Sequence, residues 1–390
     1  MFHRIATRPT KTFLLLGPRG TGKSTWLKTL SFDLSIDLLK TKDCLEYLRD
    51  PGLLAPRTAH LPSGSWVLID EVQKVPELLD EVHHLYEERK LHFALSGSSA
   101  RKLKRSGVNL LAGRAINRRM FPLTFPEYAT GDFSSDELTE WGTLPLVLDQ
   151  FEHRAETLSS YVDNYLRQEL LEEGIVRNIE PFVRFLAVAG QMNGQTLNVE
   201  NVARESKVGR TTVDKYFAVL VDTLIGFKLA AYQPSIRVNE VAHPKFYFFD
   251  AGVARAAAGL AFDSLDKYYK GFLFETYLLN EVRAYNEYSG RHRDIFYYAL
   301  RSGGEIDLVI QLKKKTKHAP DEIIACEFKL GSTWRSEWAK PFAILMGGES
   351  PTQVKRAIVV YTGQVREVRG AVELLPVAEF LRELFAAKLF

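Results

Sequence analysis

Hydrophobic and polar positions divide this chain into four zones. Over residues 1–128 the apolar positions come in short unbroken runs: Thr12–Leu16, Trp66–Ile69, Leu91–Leu95 and a weaker Ala115–Met120. Runs of this length closed by glycine, serine or acid predict buried parallel strands with helices between them. From residue 129 to about 180 the pattern is helical, as in Leu158–Leu166 and Arg167–Glu173. Over 181–250 a short helix, Val199–Glu205, is followed by a turn at Lys207–Arg210. A second helix starts at Thr211-Thr212, with Val213, Phe217, Leu220, Val221 and Leu224 at helical spacing. Two strands, Phe227–Tyr232 and Lys245–Phe249, close the zone. Over 251–390 a helix through Phe272–Glu281 precedes strands Asp294–Tyr298, Glu305–Ile310 and Ile323–Leu330, a helix around Glu337–Met346 and a strand Arg356–Tyr361. The fold class expected is α/β.

The first run leads into Gly17-Pro18-Arg19-Gly20-Thr21-Gly22-Lys23-Ser24, then Thr25. Strand, glycine loop and helix start make a phosphate cradle. Backbone N–H groups of Gly17 to Thr25, Pro18 excepted, face the anion, Lys23 reaches the outer phosphates and Ser24 ligates Mg²⁺. The expected ligands are therefore ATP and ADP with Mg²⁺. The second half of such a site needs acids at the end of a buried strand. Asp70 and Glu71 follow Trp66–Ile69: Asp70 as the carboxylate on the Mg²⁺ side, Glu71 as base or water-positioner. Ser96 and Ser98, after Leu91–Leu95, are candidates to touch the attacking water or outer phosphate; a plain serine-rich turn is the alternative. Arg114 is a candidate arginine finger that would reach a neighbouring copy's nucleotide; otherwise it is a solvated or ion-paired arginine.

The run Ala112-Gly113-Arg114 with Phe121-Pro122-Leu123-Thr124-Phe125-Pro126-Glu127-Tyr128 resembles a bacterial and archaeal family of AAA-type P-loop ATPases, as do Tyr165–Leu170 and Tyr216–Leu224. The resemblance implies an ATPase core, a helical lid, a winged helix and a C-terminal restriction-endonuclease-like domain of the PD-(D/E)XK type, once catalogued as of unknown function. If Arg114 acts in trans, the expected state is a homo-oligomer, such as a ring. Arg167 is a lid residue that would contact phosphate or pair with Glu169 or Glu172.

The helix–turn–helix–hairpin pattern is that of a winged helix. Arg210, Thr211, Thr212 and Lys215 would face a DNA groove, with Arg204, Lys207 and Arg237 at phosphates; Asp214 and Asp222 dilute that face. Winged helices also serve as packing modules. In the last zone, Ile306, Leu308 and Ile310 share one side of a strand and leave Asp307 on the other. Ile324, Cys326, Phe328 and Leu330 likewise leave Glu327 and Lys329 opposite. Carboxylates in apolar strands are costly unless paired or metal-bound. With Glu275 from the helix, Asp307, Glu327 and Lys329 resemble a nuclease centre that takes Mg²⁺; the alternative is a buried acid–lysine pair in an inactive version. Lys313–Lys315 and Lys317 are a further phosphate candidate or a solvated charge run.

Bulk numbers change little. The 390 residues allow two to four domains, and 46% hydrophobic with 25% charged residues is ordinary for a globular protein. A net charge of +3 argues for nucleic acid only through local patches. Two cysteines, Cys44 and Cys326, make no disulfide framework, which suits a reducing cytoplasm. No bilayer-spanning stretch or signal peptide is apparent. The expectation is an ATP-dependent DNA-binding or DNA-processing ATPase acting on branched or broken DNA. Its alternative is a nucleotide-controlled switch on a partner protein.

Overall fold

The computed structural model describes residues 2–99, 101, 113–129, 131, 133–166, 179–233, 243–299, 304–347 and 352–390. Arg167, Arg237 and Ala112 lie outside them. The apolar runs of the first zone form one parallel sheet: β1 (Phe13–Leu16), β2 (Leu34–Asp37), β3 (Trp66–Asp70), β4 (His92–Gly97) and β5 (Ile116–Arg119), in the order β2-β3-β4-β1-β5. Alternation decides what each face buries. Leu14, Val67, Ile69, Phe93 and Leu95 enter one core with the helix Leu78–Arg89, while Phe13, Leu15, Leu68, Ala94 and Met120 enter the other with Trp26 and Leu27. Because β4 lies between β1 and β3, the C-terminal ends of these three strands meet at one edge. Ser96 belongs to β4 itself, where the sequence suggested a turn.

Short helices follow at Ser135–Trp141, Pro145–Asp149 and Arg154–Ser160. Helices Ile179–Gln191, Val199–Ser206 and Arg210–Asp222 then lead into an antiparallel hairpin, β6 (Gly226–Leu229) and β7 (Lys245–Phe248), with Thr196 bridged to Lys245. The last of these helices stops at Asp222. Leu224, expected on its apolar stripe, instead turns the chain with φ 63°.

The final zone is a mixed six-stranded sheet. Its strands are β8 (Ile295–Ala299), β9 (Glu305–Lys313), β10 (Asp321–Lys329), β11 (Thr352–Tyr361), β12 (Glu367–Arg369) and β13 (Val372–Pro376), ordered β12-β13-β11-β10-β9-β8. The long helix Lys267–Tyr288 and the helix Val377–Phe385 pack on one face, Lys340–Gly347 on the other. A bulge in β9 between the pairs Phe296↔Val309 and Tyr298↔Ile306 breaks the expected alternation. Leu308 and Ile310 join the face of the long helix, and Ile306 joins the other with Val309. An extra residue re-aims the side chains beside it, and Asp307 is one of them.

One continuous apolar cluster runs from Leu123 and Tyr128 through Leu144, Phe185, Phe217 and Phe248 to Leu278, Ile358 and Phe380. Close approach makes it possible. A side chain at Gly190 would come within 2.4 Å of the Ala258 backbone, and one at Gly142 (φ 73°) within 2.0 Å of Asp250. Asp250 is fully buried, caps the helix Ala251–Ala257 through Val253 N–H (3.1 Å) and accepts from Thr143 N–H (2.8 Å); burial pushes its carboxyl up to about 6. Among the described residues no helix is long and apolar enough to cross a membrane.

Candidate functional site

Two constellations carry chemistry. The first lies where β1, β3 and β4 end. Gly17 N–H donates to Gly97 O (3.3 Å), and a side chain at Gly17 would meet Met120 O at 2.5 Å, so the loop starts pinned between β4 and β5. Gly20 and Gly22 turn it with φ 83° and 86°. Pro18 O accepts from Thr21 Oγ1 (2.8 Å) and Arg19 O from Tyr161 OH (2.8 Å), tying the loop to itself and to the end of the helix Arg154–Ser160. Lys23, buried at the start of the helix Lys23–Leu27, donates to Gly17 O (2.6 Å) and Pro18 O (3.1 Å). Its ammonium is thus folded back onto the carbonyls of its own loop. Ser24 is half-buried beside it and Thr25 exposed.

Asp70 ends β3, buried, and accepts from the Ser96 hydroxyl. Glu71 follows with φ 61°, a left-handed conformation that is uncommon away from glycine and concentrates at functional sites. Its N–H donates to Ser96 Oγ (3.2 Å). The Gln73 amide donates to the Glu71 carboxylate and to Ser98 Oγ (3.1 Å). Of the two serines that the sequence suggested, Ser96 meets the acids directly and Ser98 meets the Gln73 amide that holds Glu71. Gln73 was not foreseen, because nothing in Asp-Glu-Val-Gln marks the fourth residue as turning back on the second. A hydroxyl from Ser24 and a carboxylate from Asp70 are hard oxygen donors of the type Mg²⁺ takes while keeping waters and phosphate oxygens, so these residues fit a metal carried with the nucleotide. A cavity of about 850 Å³ adjoins the loop, lined by His3, Ile5, Thr25, Trp26, Pro145 and Asp149 among others. Small-molecule pockets run to about this size.

Arg114 stands before β5 with Ile116 opposite Phe13, away from the edge where the phosphate loop lies, and pairs with Glu87 at 2.5 Å. Two connections missed by sequence lead away from the loop. Arg4 is buried and donates to Thr21 O (3.2 Å), Phe121 O (2.7 Å) and Tyr288 OH (3.1 Å), and pairs with Glu127 (3.1 Å). Arg101, just beyond β4, pairs with Asp222 at the end of the helix Arg210–Asp222 (2.9 Å). On that helix and its neighbour Arg204, Lys207, Arg210, Thr211 and Lys215 are exposed and Thr212 half-buried. Arg210 pairs with Glu200 (2.9 Å) and Arg204 donates to Asn201 Oδ1 (2.9 Å).

The second constellation lies where the long helix crosses β9 and β10, which are antiparallel neighbours. Phe328 N–H donates to Asp307 Oδ2 (2.8 Å), Asp307 N–H to Glu327 Oε2 (3.3 Å), and Lys329 pairs with Glu327. Glu275, Asp307, Glu327 and Lys329 are thus brought together. A fifth residue joins them: Lys245 of β7, whose Nζ lies 3.0 Å from Glu275, 2.7 Å from Glu305 and 3.9 Å from Asp307. Tyr247 OH donates to Glu275. Burial pushes the Glu275 carboxyl up to about 8 against the pull of Lys245, and burial with the Asp307 charge holds Glu327 well above the usual range. Lysines 313 and 314 are paired on the surface with Glu322 (3.1 Å) and Asp294 (2.7 Å).

Comparison with known proteins agrees with the first constellation. Residues 9–129 match a family model described as an AAA domain, which supports an AAA-type P-loop ATPase. Residues 133–264 and 270–380 match two domains of unknown function. An uncharacterized protein of Mycobacterium tuberculosis is 24% identical over 317 residues, covering 79% of this chain and 69% of the relative. One from Methanocaldococcus jannaschii is 19% identical over 322 residues, covering 76% and 69%. One from Haemophilus influenzae is 23% identical over 210 residues, covering 50% and 52%. A Vibrio cholerae protein of solved structure aligns over 96% of both chains, but with 12% identity and a TM-score of 0.23 the likeness carries no argument.

Proposed function

We propose that this protein is an ATPase whose nucleotide state controls its grip on DNA. The observation that carries this reading is the Arg101–Asp222 ion pair. It connects the end of β4, whose Ser96 and Ser98 meet Asp70, Glu71 and Gln73, to the helix that presents Arg210, Thr211 and Lys215 to solvent. In this reading Lys23 and the loop amides hold the phosphates, Ser24 and Asp70 the Mg²⁺, and Glu71 orients the attacking water. Arg114 serves a neighbouring copy in a homo-oligomer. The helix Arg210–Asp222 enters a DNA groove, with Arg204, Lys207 and Arg237 on phosphates. Branched or broken DNA is the substrate this reading carries forward.

A switch acting on a partner protein uses the same ATPase site. It is favoured by the partners Arg210 and Arg204 already have. The deciding experiment is ATP turnover with Mg²⁺ against duplex, single-stranded, forked and four-way DNA, with Lys23→Ala as the null. Stimulation by one DNA structure, lost in Lys23→Ala, is the expected result. Turnover indifferent to every DNA, with no binding, overturns the DNA reading in favour of the protein-directed switch.

A further inference from the structure

The nuclease resemblance implies a divalent cation among Glu275, Asp307 and Glu327, and the residues present do not fit one. Among the described residues no group of three or more His, Cys, Asp or Glu side chains is arranged to hold a metal ion. Between Glu275, Glu305 and Asp307 stands the ammonium of Lys245, on a side chain only 1% exposed. We propose that Lys245 is the built-in cation of this cluster, locking the β6–β7 hairpin onto the C-terminal sheet and keeping divalent ions out.

Three features support the lock. Lys245 is placed with little freedom: its backbone is laddered to Leu229 and bridged to Thr196, and its Nζ lies 5.5 Å from the centre of the Tyr297 ring. The hairpin engages twice, because Tyr247, two residues on and on the same strand face, donates to the Glu275 oxygen that Lys245 also holds. And the charges need it. Four carboxylates (Glu275, Glu305, Asp307 and Glu327) face the ammoniums of Lys245 and Lys329. Burial alone would lower the Lys245 ammonium, but Glu275, Asp307 and Glu305 more than offset it and hold it above its ordinary value. A divalent ion binds carboxylate oxygens at roughly 2.0–2.6 Å. It has no room beside an ammonium 2.7–3.0 Å from the Glu305 and Glu275 oxygens. Removing the ammonium alone leaves buried carboxylates uncompensated, a strongly unfavourable state.

The test uses the full chain without nucleotide, with Mn²⁺ as probe, followed by electron paramagnetic resonance titration and thermal unfolding. For the wild type the expected result is no Mn²⁺ site that Asp307→Asn removes, and an unfolding temperature indifferent to millimolar Mn²⁺. Lys245→Met is expected to unfold several degrees lower, to recover part of the loss with Mn²⁺, and to lose that recovery when Asp307→Asn is added. Above pH 8, where Glu275 is ionised, Lys245→Met with Glu275→Gln removes one charge of each sign, and is expected to be more stable than Lys245→Met without any metal. This pair keeps the test open should Lys245→Met alone fail to fold. A wild-type Mn²⁺ site abolished by Asp307→Asn overturns the proposal. So does Lys245→Met with unchanged stability, or a double variant no more stable than the single one. None of these outcomes bears on ATP turnover, so the lock and the ATPase reading fail separately.

Discussion

At the scale of single residues, Glu71 adopts a left-handed backbone and its carboxylate accepts from the Gln73 amide. The other end of the Gln73 amide is costly: Oε1 is buried with no hydrogen-bond partner among the described residues, and Gly97 is what leaves it room, since a side chain there would come within 2.6 Å. A buried acceptor left unsatisfied costs on the order of 1–3 kcal/mol, so this arrangement is easily left. Gln73→Ala is expected to free Glu71 and raise unstimulated ATP turnover several-fold, whereas Glu71→Gln should abolish turnover by about a hundredfold or more while sparing binding. Steady-state hydrolysis with nucleotide-binding titration checks both; a Gln73→Ala variant as inert as Glu71→Gln would mean the amide positions the base instead of restraining it. The contiguous loop Gly17–Ser24 and the acids at the end of an apolar strand were legible because their spacing is local. Gln73 was not, since its role depends on the turn after Glu71. Lys245 was missed, although the rule that exposed Asp307, a charge in an apolar strand, applies to it as well; its partners lie 30 to 62 residues further on.

At the scale of elements, the link that matters joins β4 to the helix Arg210–Asp222. The Arg101–Asp222 pair has side chains 22% and 37% exposed, so it adds little to stability and its value is positional. Asp222→Asn is therefore expected to leave ATP binding and the unfolding temperature nearly unchanged while removing most DNA stimulation of turnover. Comparing stimulated and unstimulated rates in the same preparation checks this, and full stimulation in Asp222→Asn would remove the pair from the mechanism. Strand positions were largely legible from apolar runs, and helix Arg210–Asp222 from its stripe. Two misreadings have physical causes. Leu224 keeps helical spacing after the helix has ended because the chain reverses there to enter β6. Ile306 was assigned to the wrong face because a bulge in β9 interrupts a period-two pattern that looks unbroken in sequence.

At the scale of the whole molecule, the long helix Lys267–Tyr288 is the connecting member. Glu275 lies in the acid–lysine cluster, Glu281 accepts from Phe125 N–H (3.0 Å) and Tyr128 OH (2.8 Å), and Tyr288 OH accepts from Phe121 N–H (3.0 Å) beside Arg4. Thirteen residues of helix separate the first contact from the last, about 20 Å. Glu281 is buried, and burial pushes its carboxyl from an ordinary 4.5 up to about 8. A carboxyl raised in the folded state favours folding fully below its ordinary value, and that contribution is lost as pH rises through about 8. Glu281→Gln is therefore expected to match the wild type near pH 5 and to exceed it above pH 8 by on the order of a few kcal/mol. Denaturant unfolding across that range checks the sign; a variant less stable at both ends would show that the ionised carboxylate is required. The sequence indicated the α/β class and which segments would lie together in the last sheet. It did not indicate that one helix would join the acid–lysine cluster to Arg4 and Phe121, because such contacts follow from packing rather than period.

The apolar cluster that runs unbroken from Leu123 to Phe380 has a consequence for how this chain can be divided. Among the described residues, parting the helices Ser135–Trp141 and Arg154–Ser160 from the last sheet, by a protease or by recombination, exposes large hydrophobic area. Segments that read as separate modules by sequence pattern are therefore expected to lose their structure together.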